Sequence, residues 1–271
     1  MASAIEVTKD FPASRERTVL LELLNVVKTL KQAQIDAVIC GGWVPFLKEL
    51  ARHCSMSLDI DLLLRARARE RETIDRIKDL LAAPLDYERS DTNSFRYEKN
   101  IDGNVVQLDL LADLPRTREG ESIIKVQGAK TSLDLCLIDG AEDLNEHVET
   151  IQINCREGEL VETFEIAIPD AAGFLILKTT VCRYREKPKD AYDICYYCRY
   201  SEGSAAIQQM LASSIREPAV ARTVEELKRM FTHQDSKWVD MVLDHMNITG
   251  EDRDREAQFV VRSIRRVIDG L

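Results

Sequence analysis

Two aspartates stand one residue apart in the apolar stretch SLDIDLLL, residues 57–64. Successive side chains of a β-strand point to opposite faces, so Asp59 and Asp61 share one face while Leu58 and its apolar neighbours take the other. Carboxylates this close repel each other and raise each other's pKa. The pattern therefore predicts that a cation or several hydrogen-bond donors lie between them.

A third acid follows in VVQLDLLAD, residues 105–113, where Asp109 faces away from the leucines on either side of it. Three carboxylates on neighbouring strands form a set of oxygen ligands that suits Mg²⁺ or Mn²⁺ and leaves positions for water and substrate phosphates. Two such ions about 4 Å apart can activate an attacking oxygen and stabilise a leaving pyrophosphate. We therefore expect Asp59, Asp61 and Asp109 to bind metal and to catalyse phosphoryl or nucleotidyl transfer.

A glycine pair, Gly41-Gly42, separates a predicted strand at residues 35–40 from a predicted helix at residues 43–53. Glycines let a backbone approach a ligand, and the helix that follows offers unpaired N–H groups to a triphosphate. Taken alone, the glycine pair is equally a tight turn, and an isolated Asp-x-Asp is usually solvated surface. Their combination with a third acid on a second strand is a much more specific signal than either motif alone.

Gly41-Gly42, Asp59-Ile60-Asp61 and Asp109 resemble the signature of the DNA polymerase β-like nucleotidyltransferase superfamily. Within it, GGWVPFL followed by SMSLDIDLLL resembles the AbiEii-type toxin group of minimal nucleotidyltransferases. A second block, residues 178–194, is similar to that group's lysine helix, arginine-rich turn and basic-Asp-x-x-Asp helix. The resemblance implies metal-dependent transfer of a nucleotide from an NTP to an RNA such as tRNA. It also implies a toxin role with a cognate antitoxin as partner.

The same resemblance extends the set of candidate site residues. It implies catalytic roles for Lys178, Lys189, Asp190 and Asp193, in which the lysines neutralise phosphate charge and an aspartate orients a lysine or the acceptor hydroxyl. Ser57 and Arg183 join Gly41 and Gly42 as candidates for nucleotide binding.

Helix physics offers simpler roles for the acids of this block. Pro188 suits the first turn of a helix, where Asp190 would stabilise the helix dipole. Asp193 can share a face with Lys189 at i,i+4, or form an ion pair with Arg183 or Arg185. The arginine-rich run at residues 65–72 fits either an RNA backbone or a solvated surface equally well.

Composition limits the class of protein. The 271 residues include 37 Lys and Arg against 47 Asp and Glu, a net charge of −10, which argues against broad electrostatic binding of nucleic acid but is compatible with a local basic groove. Seven scattered cysteines, including the Cys195–Cys198 pair, predict reduced and buried thiols. With no signal-peptide pattern and no apolar run of membrane-spanning length, we expect a cytoplasmic protein without a membrane partner.

The predicted fold class is α+β, with a nucleotidyltransferase-fold domain at residues 1–168 and a helical bundle at residues 169–271. The first part should contain a mixed sheet flanked by helices, with helices at residues 12–33 (Ser14 as the cap) and 69–82. It should also contain a hairpin turning at Asp102-Gly103 and several strands between residues 123 and 168.

Two other functions fit the same residues. Aminoglycoside-type nucleotidyltransferases share the glycine and acid motifs, and the acidic net charge favours such a small-molecule acceptor. A fold that binds nucleotide or a partner protein without catalysis is the other possibility, although a site without chemistry has no reason to retain three mutually repelling acids.

Overall fold

The computed structural model of the chain describes residues 3–6, 15–49, 57–113, 122–138, 140–157, 159–200 and 204–271. It contains two compact units, Met1–Pro169 and Asp170–Leu271. Within the described ranges, every strand belongs to the first unit and the second unit is helical. The predicted α+β class is confirmed.

The first unit combines ten strands with three α-helices in the part of the chain described. The helices are α1 Arg15–Gln32, α2 Trp43–Glu49 and α3 Arg71–Ala82, with short 3-10 helices at Ala66–Arg69 and Ala141–Glu146. The strands are β1 Ser3–Glu6, β2 Ala37–Cys40, β3 Asp59–Leu64, β4 Glu88–Arg89, β5 Arg96–Ile101, β6 Asn104–Ala112, β7 Ile123–Gln127, β8 Ser132–Leu137, β9 Val148–Glu157 and β10 Leu160–Pro169.

These strands form two sheets. The larger has the order β2-β3-β6-β5-β4, with β8 paired to β6 and β7 paired to β8, and the smaller has the order β1-β9-β10. In the larger sheet β3 runs parallel to β6, whereas β2 and β5 run antiparallel to their partners, so the sheet is mixed. The predicted mixed sheet is thus present, with β3 and β6 as neighbours at its centre.

Strand β3 buries one set of alternating apolar side chains and leaves the two aspartates on the opposite face. Ile60 and Leu62 are buried at 0% and 2% exposure, while Asp59 and Asp61 on the other face are half-buried. The sequence pattern predicts that Leu58 shares the face of Ile60 and Leu62, but Leu58 is not buried with them. It lies in a bend before the strand begins, where alternation does not apply, and it is 36% exposed.

The β5–β6 hairpin turns as predicted. Asp102 and Gly103 have φ angles of 50° and 84°, the left-handed values that a two-residue hairpin turn requires. The side-chain oxygen of Asn100 accepts a hydrogen bond from the Gly103 N–H at 2.9 Å. This turn sets the register of every residue pair along the hairpin.

One predicted helix boundary shifts in the structure. The helix expected at residues 69–82 is present as α3, which begins two residues later, at Arg71, after the 3-10 turn at Ala66–Arg69. The helices expected at residues 12–33 and 43–53 are described from Arg15 to Gln32 and from Trp43 to Glu49. The expected cap Ser14 and residues 50–53 lie outside the described residues.

The second unit contains the helices α4 Ala171–Val181, α5 Pro188–Tyr200, α6 Ser204–Ser213, α7 Pro218–Phe231, α8 Lys237–His245 and α9 Asp252–Ile268. Asp170 caps α4 by accepting a hydrogen bond from the Gly173 N–H at 2.8 Å. Cys195 and Cys198 form no disulfide and are buried in α5, as predicted. None of the helices described has both the length and the apolar character needed to cross a bilayer.

Candidate metal and nucleotide site

Three carboxylates converge on one face of the central strands. Asp61 of β3 lies directly opposite Asp109 of β6, and Asp59 is two residues away on the same face. One carboxylate oxygen from each acid lies within 4.8 Å of those of the other two. The structure thus brings together the three acids that the sequence analysis singled out.

Gly41 makes room for the middle acid. Its φ is +70°, and a Cβ built on it would lie 2.8 Å from Cγ of Asp61 and closer still to Oδ2. Any residue with a side chain would therefore push Asp61 aside and also occupy a strained backbone conformation. Gly42 follows at the turn and directly precedes Trp43, the first residue of α2.

Asp59 is held by two hydrogen-bond donors. The Ser57 hydroxyl donates to Oδ1 of Asp59, and the indole Nε1 of Trp43 donates to its backbone oxygen at 3.0 Å. Ser57 was expected to contact nucleotide; it is 7% exposed, and the contact that the structure gives it is with Asp59. Trp43 is fully buried, so it is a core residue.

Asp109 is paired with an arginine that the sequence analysis overlooked. Arg96 of β5 lies opposite Asp109 in the hairpin, and its Nε and Nη2 donate to Oδ1 and Oδ2 of Asp109, each at 2.7 Å. These hydrogen bonds raise the pKa of Arg96 against the opposing effect of burial, and the charges of Asp59 and Asp61 raise it further. A guanidinium therefore lies within the electrostatic reach of all three acids.

A second charged cluster lies inside the helical unit. Lys178 of α4 donates to Asp190 at 2.9 Å and to Asp193 at 2.7 Å, both on α5. All three are buried, with exposures of 8%, 3% and 1%. Burial disfavours the charged lysine, yet the two aspartates outweigh it and raise the pKa of Lys178.

Two further cations complete this cluster at its solvent side. Arg185 donates to both carboxylate oxygens of Asp190, at 2.8 and 3.2 Å, and Lys189 donates to both oxygens of Asp193, at 3.0 and 3.2 Å. Burial favours the neutral acid, but Lys178 and Arg185 lower the pKa of Asp190 below its ordinary value. Arg185 is also a residue to which the sequence analysis gave no role in the site.

The structure distinguishes some of the alternative roles that helix physics gave to the acids of residues 178–194. Pro188 is the first residue of α5 and Asp190 lies in its first turn, as predicted. The i,i+4 pair of Lys189 and Asp193 is present. The alternative that pairs Asp193 with Arg183 or Arg185 is wrong, because Asp193 contacts the two lysines instead. Arg183 forms an ion pair with Glu226 at 3.4 Å.

The arginine run at residues 65–72 is partly engaged within the first unit. Arg69 forms an ion pair with Asp113, and Arg65 lies 3.9 Å from Asp36. Arg67 is exposed. This favours a surface with internal ion pairs over a continuous cationic stripe.

Comparison with known families decides the identity of the chain. The sequence model of the family described as "Nucleotidyl transferase AbiEii toxin, Type IV TA system" matches residues 56–258, which is most of the chain. The chain belongs to the AbiEii family. The matched range contains Asp59, Asp61 and Asp109 as well as the charged cluster of the helical unit, whereas the glycine pair precedes it. A search among curated proteins finds no match.

Solved structures with similar folds are distant in sequence. A nucleotidyltransferase-like antigenic protein from Paracoccidioides brasiliensis is 13% identical, with a TM-score of 0.41 over 80% of this chain and 88% of that chain. The antibiotic-resistance factor ANT(2'')-Ia is 11% identical, with a TM-score of 0.36 over 90% of this chain and 100% of that chain. These similarities carry no information about the substrate of this AbiEii-family chain.

The acidic site of this AbiEii-family chain fits a divalent metal. Its donors are carboxylate oxygens, the ligands that Mg²⁺ and Mn²⁺ prefer, and they come from two adjacent strands whose backbones are fixed by the sheet. Asp59, Asp61 and Asp109 are the residues that would hold the ion.

Proposed function

We propose that this chain transfers a nucleotidyl group from an NTP to an RNA acceptor such as tRNA, in a metal-dependent reaction, and that it acts as the toxin of a toxin–antitoxin pair. The observation that carries the proposal is the convergence of Asp59, Asp61 and Asp109 within 4.8 Å, beside a glycine that no other residue could replace. Membership of the AbiEii family supports the same reaction class.

Each ligand of the proposed metal site has its own support. Asp61 occupies the space that Gly41 leaves open, Asp59 accepts a hydrogen bond from Ser57, and Asp109 is paired with Arg96. Mg²⁺ or Mn²⁺ bound there would neutralise charge on the triphosphate and on the attacking oxygen. The protein's contribution is to hold the three carboxylates at fixed positions before substrate arrives.

The proposed reaction exchanges one phosphorus–oxygen bond for another. An acceptor hydroxyl oxygen forms a bond to the α-phosphorus of the NTP while the bond from that phosphorus to the bridging oxygen breaks. Pyrophosphate leaves, and the hydroxyl proton passes to water. Since charge accumulates on phosphate oxygens, side-chain cations placed near them lower the barrier.

We assign the neutralising role to Lys178 and Lys189, with Asp190 and Asp193 orienting them. The side chain of Lys189 is 32% exposed, whereas that of Lys178 is 10% exposed and bonded to both aspartates. Lys189 is therefore the better candidate for direct contact with phosphate, and Lys178 for positioning. Arg183 and Ser57 remain candidates for contact with the nucleotide.

A labelling experiment tests the proposed reaction. The protein is incubated with Mg²⁺, each α-³²P-labelled NTP in turn, and total RNA, alongside an Asp61→Asn variant shown to be folded. Label in the tRNA fraction that is absent with the variant supports the proposal. Transfer to an added aminoglycoside but not to RNA would show that the acceptor is a small molecule and not RNA. The absence of both transfer and Mg²⁺-dependent NTP binding would overturn the enzymatic function.

The toxin role needs a separate measurement. Expression of the wild-type chain in a bacterial host should arrest growth, and expression of the folded Asp61→Asn variant should not. Growth arrest that persists in the variant would show that toxicity does not depend on the proposed chemistry.

A further inference from the structure

We propose that Arg96 is a built-in counter-ion of the acidic site and that it competes with the divalent metal for Asp109. This inference rests on the proposed metal-binding function of Asp59, Asp61 and Asp109. It assigns a role to a residue outside the glycine and acid motifs.

The pairing of Arg96 with Asp109 is geometrically complete. Both oxygens of Asp109 accept hydrogen bonds at 2.7 Å from different nitrogens of one guanidinium. The two side chains are 22% and 9% exposed, so water screens the pair only weakly. Such two-point pairing of arginine with a carboxylate is among the stronger and more directional contacts in proteins.

A chain of polar contacts holds the guanidinium in this position. Its Nη1 donates to Oε1 of Gln107 at 3.1 Å, and the Gln107 amide donates in turn to Glu98 at 3.2 Å. Glu98 also accepts a hydrogen bond from the Ser90 hydroxyl at 3.1 Å. Arg96 is therefore fixed by neighbours on its own sheet as well as by Asp109.

The charge of the site explains why a cation belongs there. Three ionised carboxylates carry three negative charges within a few ångströms, and Arg96 reduces the total by one. This offsets part of the mutual repulsion of the three carboxylates. The metal-free protein can thus keep its three ligands close together.

The same charge opposes an incoming metal. A divalent ion bound by Asp109 would stand close to the guanidinium, in a partly buried place where like charges repel more strongly than in water. Binding of the metal must therefore weaken the bonds between Arg96 and Asp109. The affinity of the site for metal is set by this competition.

Measurement of Mn²⁺ affinity by electron paramagnetic resonance, which counts free ions, tests the inference. The variant Arg96→Met removes the competing charge, and Arg96→Lys keeps the charge without the two-point contact. The matched control is Arg89→Met, since Arg89 lies on the neighbouring strand of the same sheet and pairs with Asp134, outside the acidic site.

We expect Arg96→Met to bind Mn²⁺ at least about tenfold more tightly than the wild type, because a like charge has been removed. Arg96→Lys and Arg89→Met should stay within about threefold of the wild type. Weaker binding by Arg96→Met, of about 10- to 100-fold, is the behaviour of a residue that merely orients a ligand and would overturn the inference. Unchanged binding would also overturn it.

A measurement on the wild type covers the case in which Arg96→Met does not fold. In ¹⁵N-arginine spectra the Nε–H signal of Arg96, identified by its loss in Arg96→Lys, should shift and exchange faster with water as Mg²⁺ saturates the site. A signal unchanged at saturation contradicts the competition while leaving the metal site intact. If neither the wild type nor Arg96→Met binds Mn²⁺, both the inference and the proposed metal site fail.

Discussion

Gly41, in the turn that follows β2, lies against the side chain of Asp61 on β3, and the space between them would not hold a methyl group. A Cβ on Gly41 would lie 2.8 Å from Cγ of Asp61, closer than real Cβ atoms approach other heavy atoms. The backbone at Gly41 also has a φ of +70°. A glycine motif that looked like a simple turn in the sequence is therefore a spatial requirement of the acidic site.

Gly41→Ala should damage both stability and metal binding. Alanine in the left-handed region costs about 1–2 kcal/mol, and displacement of Asp61 should add about 1–3 kcal/mol through overpacking. Urea denaturation gives the loss in the free energy of unfolding, and Mn²⁺ titration gives the loss of affinity.

The chain contains a matched control for this substitution. Gly103 has a φ of +84°, and no heavy atom outside Gly103 and its two chain neighbours lies within 4 Å of the position that a Cβ would take, so Gly103→Ala carries the backbone cost alone. The difference between the two variants measures the contact with Asp61. Equal losses of stability and unchanged metal binding in both would contradict the spatial requirement.

Asp61→Asn should separate the functional role of this acid from a structural one. The variant removes one of several neighbouring negative charges, so in EDTA its free energy of unfolding should equal or exceed that of the wild type by up to about 1 kcal/mol. In Mg²⁺ the wild type should gain stability through binding, whereas the variant should not. Thermal unfolding in the two buffers provides the comparison.

Asp113→Asn is the control for Asp61→Asn, because it removes an acid whose role is structural. Asp113 forms a largely buried ion pair with Arg69, with side-chain exposures of 7% and 13%. Its loss should lower stability by about 1–3 kcal/mol in EDTA and in Mg²⁺ alike. If Asp61→Asn behaves in the same way, the acids of the site are structural.

The hairpin that carries Asp109 and Arg96 could be predicted almost completely from the sequence. Asp102-Gly103 indicates a two-residue turn, and such a turn pairs Ile101 with Asn104. Counting five residues outward on each side places Arg96 opposite Asp109. The signal for this ion pair was present in the sequence, but it needed the hairpin register as well as the strand assignment.

The parallel pairing of β3 with β6 could not be predicted in this way. The two strands are separated by α3, β4 and β5, and no local turn relates their registers. Alternation places Asp59 and Asp61 on one face, but it does not say which of them lies opposite Asp109. The contact between Gly41 and Asp61 likewise depends on the antiparallel pairing of β2 with β3.

Asp75 should make a pH-dependent contribution to stability. It lies on α3 and accepts hydrogen bonds from the Lys130 and Thr131 N–H groups, each at 2.9 Å, and from the Thr131 hydroxyl at 2.7 Å. These bonds, led by that from the Thr131 hydroxyl, hold the pKa of Asp75 below its ordinary value. A lowered folded-state pKa stabilises the fold above the unfolded pKa, and this contribution is lost as pH falls through the folded value.

Asp75→Asn should therefore be less stable than the wild type at neutral pH, with a difference that shrinks below about pH 4. Urea denaturation at several pH values measures this difference. Asp79→Asn is the control, because Asp79 is an exposed acid of the same helix. A difference for Asp75→Asn that stays constant down to acid pH would contradict the role of its charge.

Lys178→Met and Lys189→Met should lower stability by different amounts. Lys178→Met leaves Asp190 and Asp193 buried with fewer partners, and it should cost about 3 kcal/mol of stability. Lys189→Met removes a partly exposed lysine and leaves Asp193 paired with Lys178, so it should cost less than about 1 kcal/mol. If Lys189 contacts phosphate, its variant should nevertheless lose most transferase activity.

The pH dependence of the Lys178 contribution checks its cause. A raised folded-state pKa means that the stabilisation is fully present below the ordinary pKa of lysine and is lost only as pH rises through the folded value. The stability difference between wild type and Lys178→Met should thus be constant between about pH 7 and pH 9. An active Lys189→Met variant would remove Lys189 from the proposed site. For Lys178, a stability difference that declines between these pH values would show that its two aspartates do not hold it charged.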